Sequence, residues 1–305
     1  MSVELIRAST LPVELLTSLW NEAFRDYFVP MRLTSERYAA LVQRELISLS
    51  DSFVALAAGE AVGFALSGLR LREGRLLGYD AGTAVIPAYR RQGIARRLME
   101  AMLGRFGELG VGRVTLTAVS ANRQAISLYR SLGFGELRQL SCWERVGRVN
   151  MHAQAIDGLD VIPVSPGTVH SLASACYRQT PEWQNCPDGD KLRTAEALLA
   201  VWHGRPAGYA LFAGRDPLYL YQLGVLPEWR RHGLARAMLR AIVSKRPHRN
   251  LIYLNHPEEE QEGIAWLQNV GFTVFLQQVE MGLSLRPCGR IDKSGDSGVT
   301  CTEEE

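Results

Sequence analysis

The residues best suited to chemistry lie at the end of an apolar, strand-like run. Val85-Ile86-Pro87 leads into Arg90-Arg91-Gln92-Gly93-Ile94-Ala95-Arg96, and an amphipathic segment follows with Ile94, Leu98, Met102 and Phe106 at helical spacing. The first N–H groups of such a helix have no partner within it, and its dipole places partial positive charge there. Gly93 and Ala95 let a ligand approach the backbone closely, and Arg90, Arg91 and Arg96 surround that end with cations. Together these residues describe a cradle for a pyrophosphate. It is neither a P-loop nor a dinucleotide fingerprint, because GxxxxGK[ST] and GxGxxG are both absent. A lone R-x-x-G-x-A matches many ordinary strand–helix junctions, so its surroundings must decide.

Those surroundings have a regular order. Pro12–Tyr27 has helical spacing (Leu15, Leu19, Ala23), with Thr10 placed to cap it, and a second helix is expected from Ser35 to Leu46. Strands follow at Phe53–Ala57, Ala61–Leu71 and Leu76–Ile86, parted by turns at Ala58-Gly59-Glu60 and Glu73-Gly74. After the cradle come a helix from Gly93 to Leu109, a strand at Arg113–Val119, a helix at Asn122–Leu132, and strands within Phe134–Val146.

The second half repeats this order. VIPAYRRQGIA at 85–95 returns as VLPEWRRHGLA at 225–235, with Val, Pro, Arg-Arg, Gly and Ala in register, and Leu132-Gly133-Phe134 returns as Val270-Gly271-Phe272. The two offsets, 140 and 138 residues, agree with two copies of one domain of ordinary size. The boundaries expected are 1–148 and 158–286, joined near Gly147–Gly158. The polar, Gly/Ser-rich segment 287–305 is expected to be disordered.

The cradle sits between a strand and an amphipathic helix, and downstream stand Asn122 and then A-x-x-L-Y-x-x-x-G-F at Ala125, Leu128, Tyr129, Gly133 and Phe134. In combination these motifs resemble the GNAT superfamily of N-acetyltransferases, in both halves of the chain. The resemblance implies an α/β (α+β) fold of two tandem domains, each a mixed, centrally splayed sheet flanked by helices. It also implies acetyl-CoA as co-substrate, with Arg90, Arg91, Gln92, Gly93, Ile94, Ala95 and Arg96 around the pyrophosphate. Val85 and Ile86 fall where a bulged fourth strand meets the pantetheine arm, Asn122 where a CoA-contacting Asn is frequent, and Tyr129 where a Tyr protonates the departing thiolate. The implied function is transfer of an acetyl group to a primary amine. A non-catalytic CoA-binding scaffold, another acyl-CoA donor and a non-amine acceptor stay open as alternatives.

Amine acylation needs a deprotonated nucleophile, a donor to the oxyanion and an acid for the thiolate. Residues 1–150 contain no histidine, so the base must be found elsewhere. Asp80 is the best carboxylate, on the strand where some family members carry a Glu base. Tyr79 aligns equally well, strand alternation puts the two on opposite faces, and a water chain is a further alternative. Tyr27 and Phe28, in the irregular stretch before Pro30, are substrate-pocket candidates, whereas Trp20 and Phe24 read better as an i,i+4 core pair.

In the second copy Leu267 stands opposite Tyr129, Glu260 opposite Asn122, and Leu220 opposite Asp80. Leucine donates no proton, so catalysis is assigned to the first copy. Val225, Arg230, Arg231, His232, Gly233, Leu234 and Ala235 retain the cradle and would form a second CoA site. The aromatic stretch from Tyr177 to Pro187 either covers the first copy's acceptor site or packs on its own sheet.

Composition narrows the rest. With 305 residues, 47% hydrophobic and 22% charged, the chain reads as globular, and no apolar run approaches a membrane span. A net charge of +2 offers no reason to expect a nucleic-acid partner. Five scattered cysteines without CxxC spacing, and histidines without ligand spacing, point away from disulfides and metals and toward a reducing cytoplasm. The start, MSVELIRAST, shows no secretory pattern. The partners expected are CoA and a small amine or peptide acceptor, with the chain a monomer or homodimer.

Overall fold

The computed structural model describes residues 2–146, 155–177, 180–186, 195–214, 217–244 and 250–285. The first half runs β1 (Val3–Arg7), α1 (Val13–Ala23), α2 (Ser35–Arg44), β2 (Ile47–Ala57), β3 (Glu60–Arg72), β4 (Arg75–Val85), α3 (Ile94–Glu108), β5 (Arg113–Val119), α4 (Arg123–Ser131) and β6 (Gly135–Arg145). The second runs β7 (Leu159–Val164), α5 (His170–Cys176), β8 (Glu196–Trp202), β9 (Arg205–Ala213), β10 (Leu218–Val225), α6 (Leu234–Ser244), β11 (Leu251–Pro257), α7 (Gln261–Asn269) and β12 (Thr273–Ser284). No helix among the described residues is long and apolar enough to cross a membrane. The expected tail lies outside the described residues, as do His152 and most of the expected join.

Local chemistry explains most elements. Ala58-Gly59, Glu73-Gly74 and His203-Gly204 each place two successive residues at positive φ, the conformation of tight two-residue hairpins. Thr34 caps α2 by accepting from the Arg37 N–H. The cap expected from Thr10 is not made: Pro12 is the N-cap of α1, and the Thr10 hydroxyl donates instead to the Arg7 carbonyl. Helix α1 also ends at Ala23, short of Tyr27, so Tyr27 stands on irregular backbone.

All twelve strands form one sheet, ordered β1-β2-β3-β4-β5-β12-β6-β11-β10-β9-β8-β7. Several strands were expected in Phe134–Val146 and again up to Leu285, but each region holds a single long strand, β6 and β12. The two halves exchange these strands. β12 pairs with β5 from Gln278↔Val119 to Ser284↔Arg113, while β6 pairs with β11 from Leu251↔Arg145 to Pro257↔Leu140. β12 thus fills the space between β5 and β6, and β6 that between β12 and β11, so every edge at the junction is paired.

Two features recur in register. β4 and β5 pair in parallel only from Leu77↔Arg113 to Asp80↔Leu116 and then diverge; β10 and β11 do the same after Tyr219↔Ile252. Each sheet half is therefore splayed beside its fourth strand. That strand also carries a bulge in both copies, leaving Ala81 and Tyr221 as the extra residues.

The apolar side of α3 (Leu98, Met99, Met102, Phe106) is fully buried over β2, β3 and β4, in one core cluster with Val114 and Leu116 of β5. Each such side chain contributes roughly 1.5–3 kcal/mol by leaving water. On the opposite face Trp20 stacks on Phe64 at 5.6 Å, which makes Trp20 and Phe24 core residues as expected. The site thus lies between two packed layers.

Candidate active site

The bulge in β4 aims Asp80. Its carboxylate Oδ1 accepts from the Gly82 N–H and from the Thr83 hydroxyl, each at 3.0 Å, an Asx-type turn that the D-x-G-T order encodes. The hydroxyl of Tyr129, on α4, stands beside the same carboxyl group. Asp80 is 5% exposed, and burial pushes its pKa up to about 6 against the lowering effect of these three neighbours. Burial and the neighbouring Asp80 raise the Tyr129 hydroxyl well above its ordinary value.

Tyr79 takes the other face, as strand alternation requires. It is 3% exposed, its hydroxyl shares a hydrogen bond with Thr117 Oγ1 at 3.1 Å, and its ring stacks on Trp183. Only Asp80 of the two meets Tyr129.

Asn122 caps α4, its Oδ1 accepting from the Ala125 N–H at 3.2 Å. Tyr27 stands beside it, and burial raises the Tyr27 hydroxyl, with Asp80 adding to the shift. The chain therefore brings Tyr27, Asp80, Asn122 and Tyr129 into one cluster from three places in the fold: the stretch after α1, the bulged β4, and α4 with its cap. Phe28 contacts the Tyr27 ring at 5.4 Å and is 53% exposed, on the solvent side of the cluster.

The cradle begins where β4 ends. Arg91 and Gly93 have φ of 66° and 77°, and Gly93 is the N-cap of α3 with no side chain to cap the helix. A Cβ on Gly93 would meet nothing within 4 Å, so the approach to the first-turn amides is open. Arg91, Gln92, Gly93 and Arg96 are exposed, Ala95 is half-buried and Ile94 is buried in the core. Arg90 is committed elsewhere. Its guanidinium donates to the Val85 carbonyl (3.0 Å), the Ala23 carbonyl (3.0 Å) and both oxygens of Asp26 (2.7 and 2.6 Å). It joins the end of β4 to the end of α1, while the Ile86 N–H donates back to Val62 on β3. Sequence reasoning passed over Thr83, whose signal is the D-x-G-T order, and Asp26, which has no signal apart from its distant partner Arg90.

The second cradle has the same backbone and different surroundings. Arg231 and Gly233 have φ of 69° and 85°, and Arg230 repeats the pattern of Arg90, donating to the Val225 (3.2 Å) and Cys176 (3.1 Å) carbonyls. A Cβ on Gly233 would stand 3.2 Å from the Ile156 side chain, which leaves less room than at Gly93. The His232 ring lies 4.7 Å from Trp202, whose indole N–H donates to the Asp157 carbonyl at 3.0 Å. Leu234 is buried, and Leu220 and Leu267 are each 1% exposed. His256, on β11, is 4% exposed, and burial depresses its pKa to about 4.

A splayed sheet, a bulged fourth strand and a glycine-capped helix define an acyl-CoA-type transferase scaffold. The Acetyltransferase (GNAT) family model matches this chain twice, at residues 14–134 and 168–272, and the chain belongs to that family as a tandem member. Among solved structures it resembles a tandem GNAT protein from the clavulanic acid biosynthesis pathway, with a TM-score of 0.70 at 16% identity over 94% of this chain and 100% of that one. It also resembles a GCN5-related N-acetyltransferase from Sphaerobacter thermophilus, with a TM-score of 0.69 at 15% identity over 93% and 96%. At such identities the likeness is one of fold. By sequence it is 37% identical over 78 residues to the [ribosomal protein bS18]-alanine N-acetyltransferase of Escherichia coli (strain K12), covering 26% of this chain and 50% of that protein. It is 33% identical over 109 residues to N-alpha-acetyltransferase 30 of Schizosaccharomyces pombe, covering 35% and 73%. The chain thus spans about half the length of the first of these relatives.

Proposed function

We propose that the chain is an acetyl-CoA-dependent N-acetyltransferase whose first half transfers the acetyl group directly to a primary amine. The observation that carries this reading is the buried, adjoining pair of Asp80 and Tyr129, placed beside a fork in the sheet and an open, glycine-capped helix start. The second half supports two of the same backbone features with apolar residues at both reactive positions.

Acetyl-CoA supplies an activated thioester, and the residues here fit its pyrophosphate. The first-turn amides of α3 are approachable over Gly93, and Arg91 and Arg96 are exposed around them. Arg90 acts through the backbone, holding Val85 and hence the strand end from which the cradle springs. Asn122 and Tyr27 stand where the fork opens, and Tyr27 with Phe28 forms the acceptor side.

Asp80 accepts the proton that the amine loses as its nitrogen bonds to the acyl carbon. Tyr129 donates its hydroxyl proton to the thiolate as the C–S bond breaks, and the proton on Asp80 then passes to the neighbouring Tyr129 oxygen. One proton leaves the amine, one reaches the thiol, and both side chains end as they began. A carboxyl pKa of about 6 leaves Asp80 largely ionised at neutral pH while making it a better base than an ordinary aspartate. The two amine-acetylating relatives favour an α-amino group, of a peptide or amino acid, as acceptor.

The second cradle, with Ile156 against Gly233 and Trp202 against His232, is read as a structural copy, so that one CoA binds per chain. The deciding experiment is release of free thiol from acetyl-CoA against a panel of amines that includes peptides with varied first residues. Acceptor-dependent thiol release supports the reading; a flat panel, with Asp80→Asn and wild type indistinguishable, removes it.

A further inference from the structure

We propose that Trp183, supplied by the second copy, is a positioning residue for acyl transfer in the first: it clamps Tyr79 at the fork between β4 and β5 and so sets where the adjoining Asp80 carboxyl stands. The inference rests on the role given to Asp80 above.

Tyr79 occupies the branch point. It pairs with Thr115, the Asp80–Leu116 pair is the last before the strands part, and the Tyr79 hydroxyl bonds Thr117 on the diverging arm. One ring therefore touches both arms of the fork. The indole of Trp183 covers that ring with centroids 4.9 Å apart and planes within 5° of parallel. Shifting Tyr79 would shift the next residue, Asp80, against Tyr129.

Trp183 is itself held on every side. It is 5% exposed, and its indole N–H donates to the Glu45 carbonyl at 3.0 Å. The Arg70 guanidinium lies 4.0 Å from its ring centre, and Arg70 Nη2 donates to its carbonyl at 3.2 Å. Beneath it stands Gly68, where a Cβ would come within 3.1 Å of both the indole and Tyr79. A side chain there would push the two rings apart.

The clamp hangs from the second copy's own cleft. Asn185 Nδ2 donates to the Leu254 carbonyl (2.6 Å), and Gln222 Nε2 donates to the Asn185 carbonyl (2.5 Å). Glu182 accepts from Asn255 Nδ2 and the Gln184 N–H, both at 2.8 Å. Gln222 sits beside the second bulge, at the position that Gly82 holds in the first copy. The second half has thus turned residues of its own cleft into an anchor for the first half's reacting strand. The charged and titratable neighbours are divided accordingly: Glu45 and Glu182 face Tyr79, while Tyr27 and Tyr129 face Asp80.

The test compares Trp183→Ala, Trp183→Leu and Trp183→Phe in the full chain, each first shown to be folded by its acetyl-CoA-induced thermal shift. Leucine keeps apolar volume without a flat face, so it guards against simple collapse of the alanine variant. The alanine and leucine variants are expected to lower kcat about tenfold or more, as small misplacements of reacting groups do, with KM for acetyl-CoA within about twofold. The acid limb of their kcat–pH profile should move from that of wild type, and Trp183→Phe should restore most of both. Wild-type kcat with an unmoved limb in the folded leucine variant overturns the proposal. So does an equal loss in all three variants with the limb unmoved, the mark of a merely structural contact. Asp80→Asn with full kcat overturns the role of Asp80 itself, independently of the Trp183 variants.

Discussion

The Tyr129 hydroxyl on α4 stands beside the Asp80 carboxyl on β4, two groups 49 positions apart in the chain and both almost closed to water. If this pair moves the protons of acyl transfer, Tyr129→Phe removes the acid and leaves the ring packed as before. Turnover should fall about 10²-fold or more, while acetyl-CoA affinity changes little. Initial rates and a binding titration on the same preparation check both halves of the statement.

Asp80 also ties stability to pH. Its folded pKa, near 6, lies above the ordinary aspartate value of 3.8, so the folded state holds the proton more tightly than the unfolded one. The stability this contributes is fully present below about pH 4 and is lost as pH rises through about 6, by at most about 3 kcal/mol. Denaturant titrations at pH 4, 5, 6 and 7 should show that decline, and Asp80→Asn should flatten it. The same deprotonation should make kcat rise through about pH 6.

Gly93→Glu places a charge at an open position where φ is 77° and disfavours any side chain. It should abolish the thermal shift produced by acetyl-CoA, whereas Gly93→Ala, which meets nothing within 4 Å, should lose only part of it. Gly233→Glu should leave turnover nearly intact. Isothermal titration of the unaltered chain should give one CoA per chain, and a stoichiometry of two would falsify the structural reading of the second cradle.

Strand exchange makes each half depend on the other. A chain ending at Val146 lacks β12, the strand that lies between β5 and β6, and β6 loses β11 as well. Such a fragment should be insoluble or lack a cooperative unfolding transition. Co-expression with the complementary fragment should recover a soluble pair. A monomeric, cooperatively folding N-terminal fragment would contradict the topology.

The sequence by itself determined what is local or repeated. Helical spacing placed α3 and α4 within a residue or two, paired turn residues placed the hairpins, and matched landmarks disclosed the two copies. Asn122 and Gly93 were legible through the motif and the resemblance it carries; that Asn122 caps α4 and that Gly93 takes a left-handed backbone came from the structure. Tertiary structure alone decided the rest. Each copy ends in one strand that could satisfy either open edge, since backbone edges present the same donors and acceptors, so no local signal reveals the exchange. Arg90 looked like a free cation for phosphate, and only folding brings Ala23, Val85 and Asp26 around its fork. Alternation left Asp80 and Tyr79 as rivals until the bulge and α4 gave one to Tyr129 and the other to Trp183. Those partners lie far along the chain, and a bond between distant residues leaves no trace in the spacing of either.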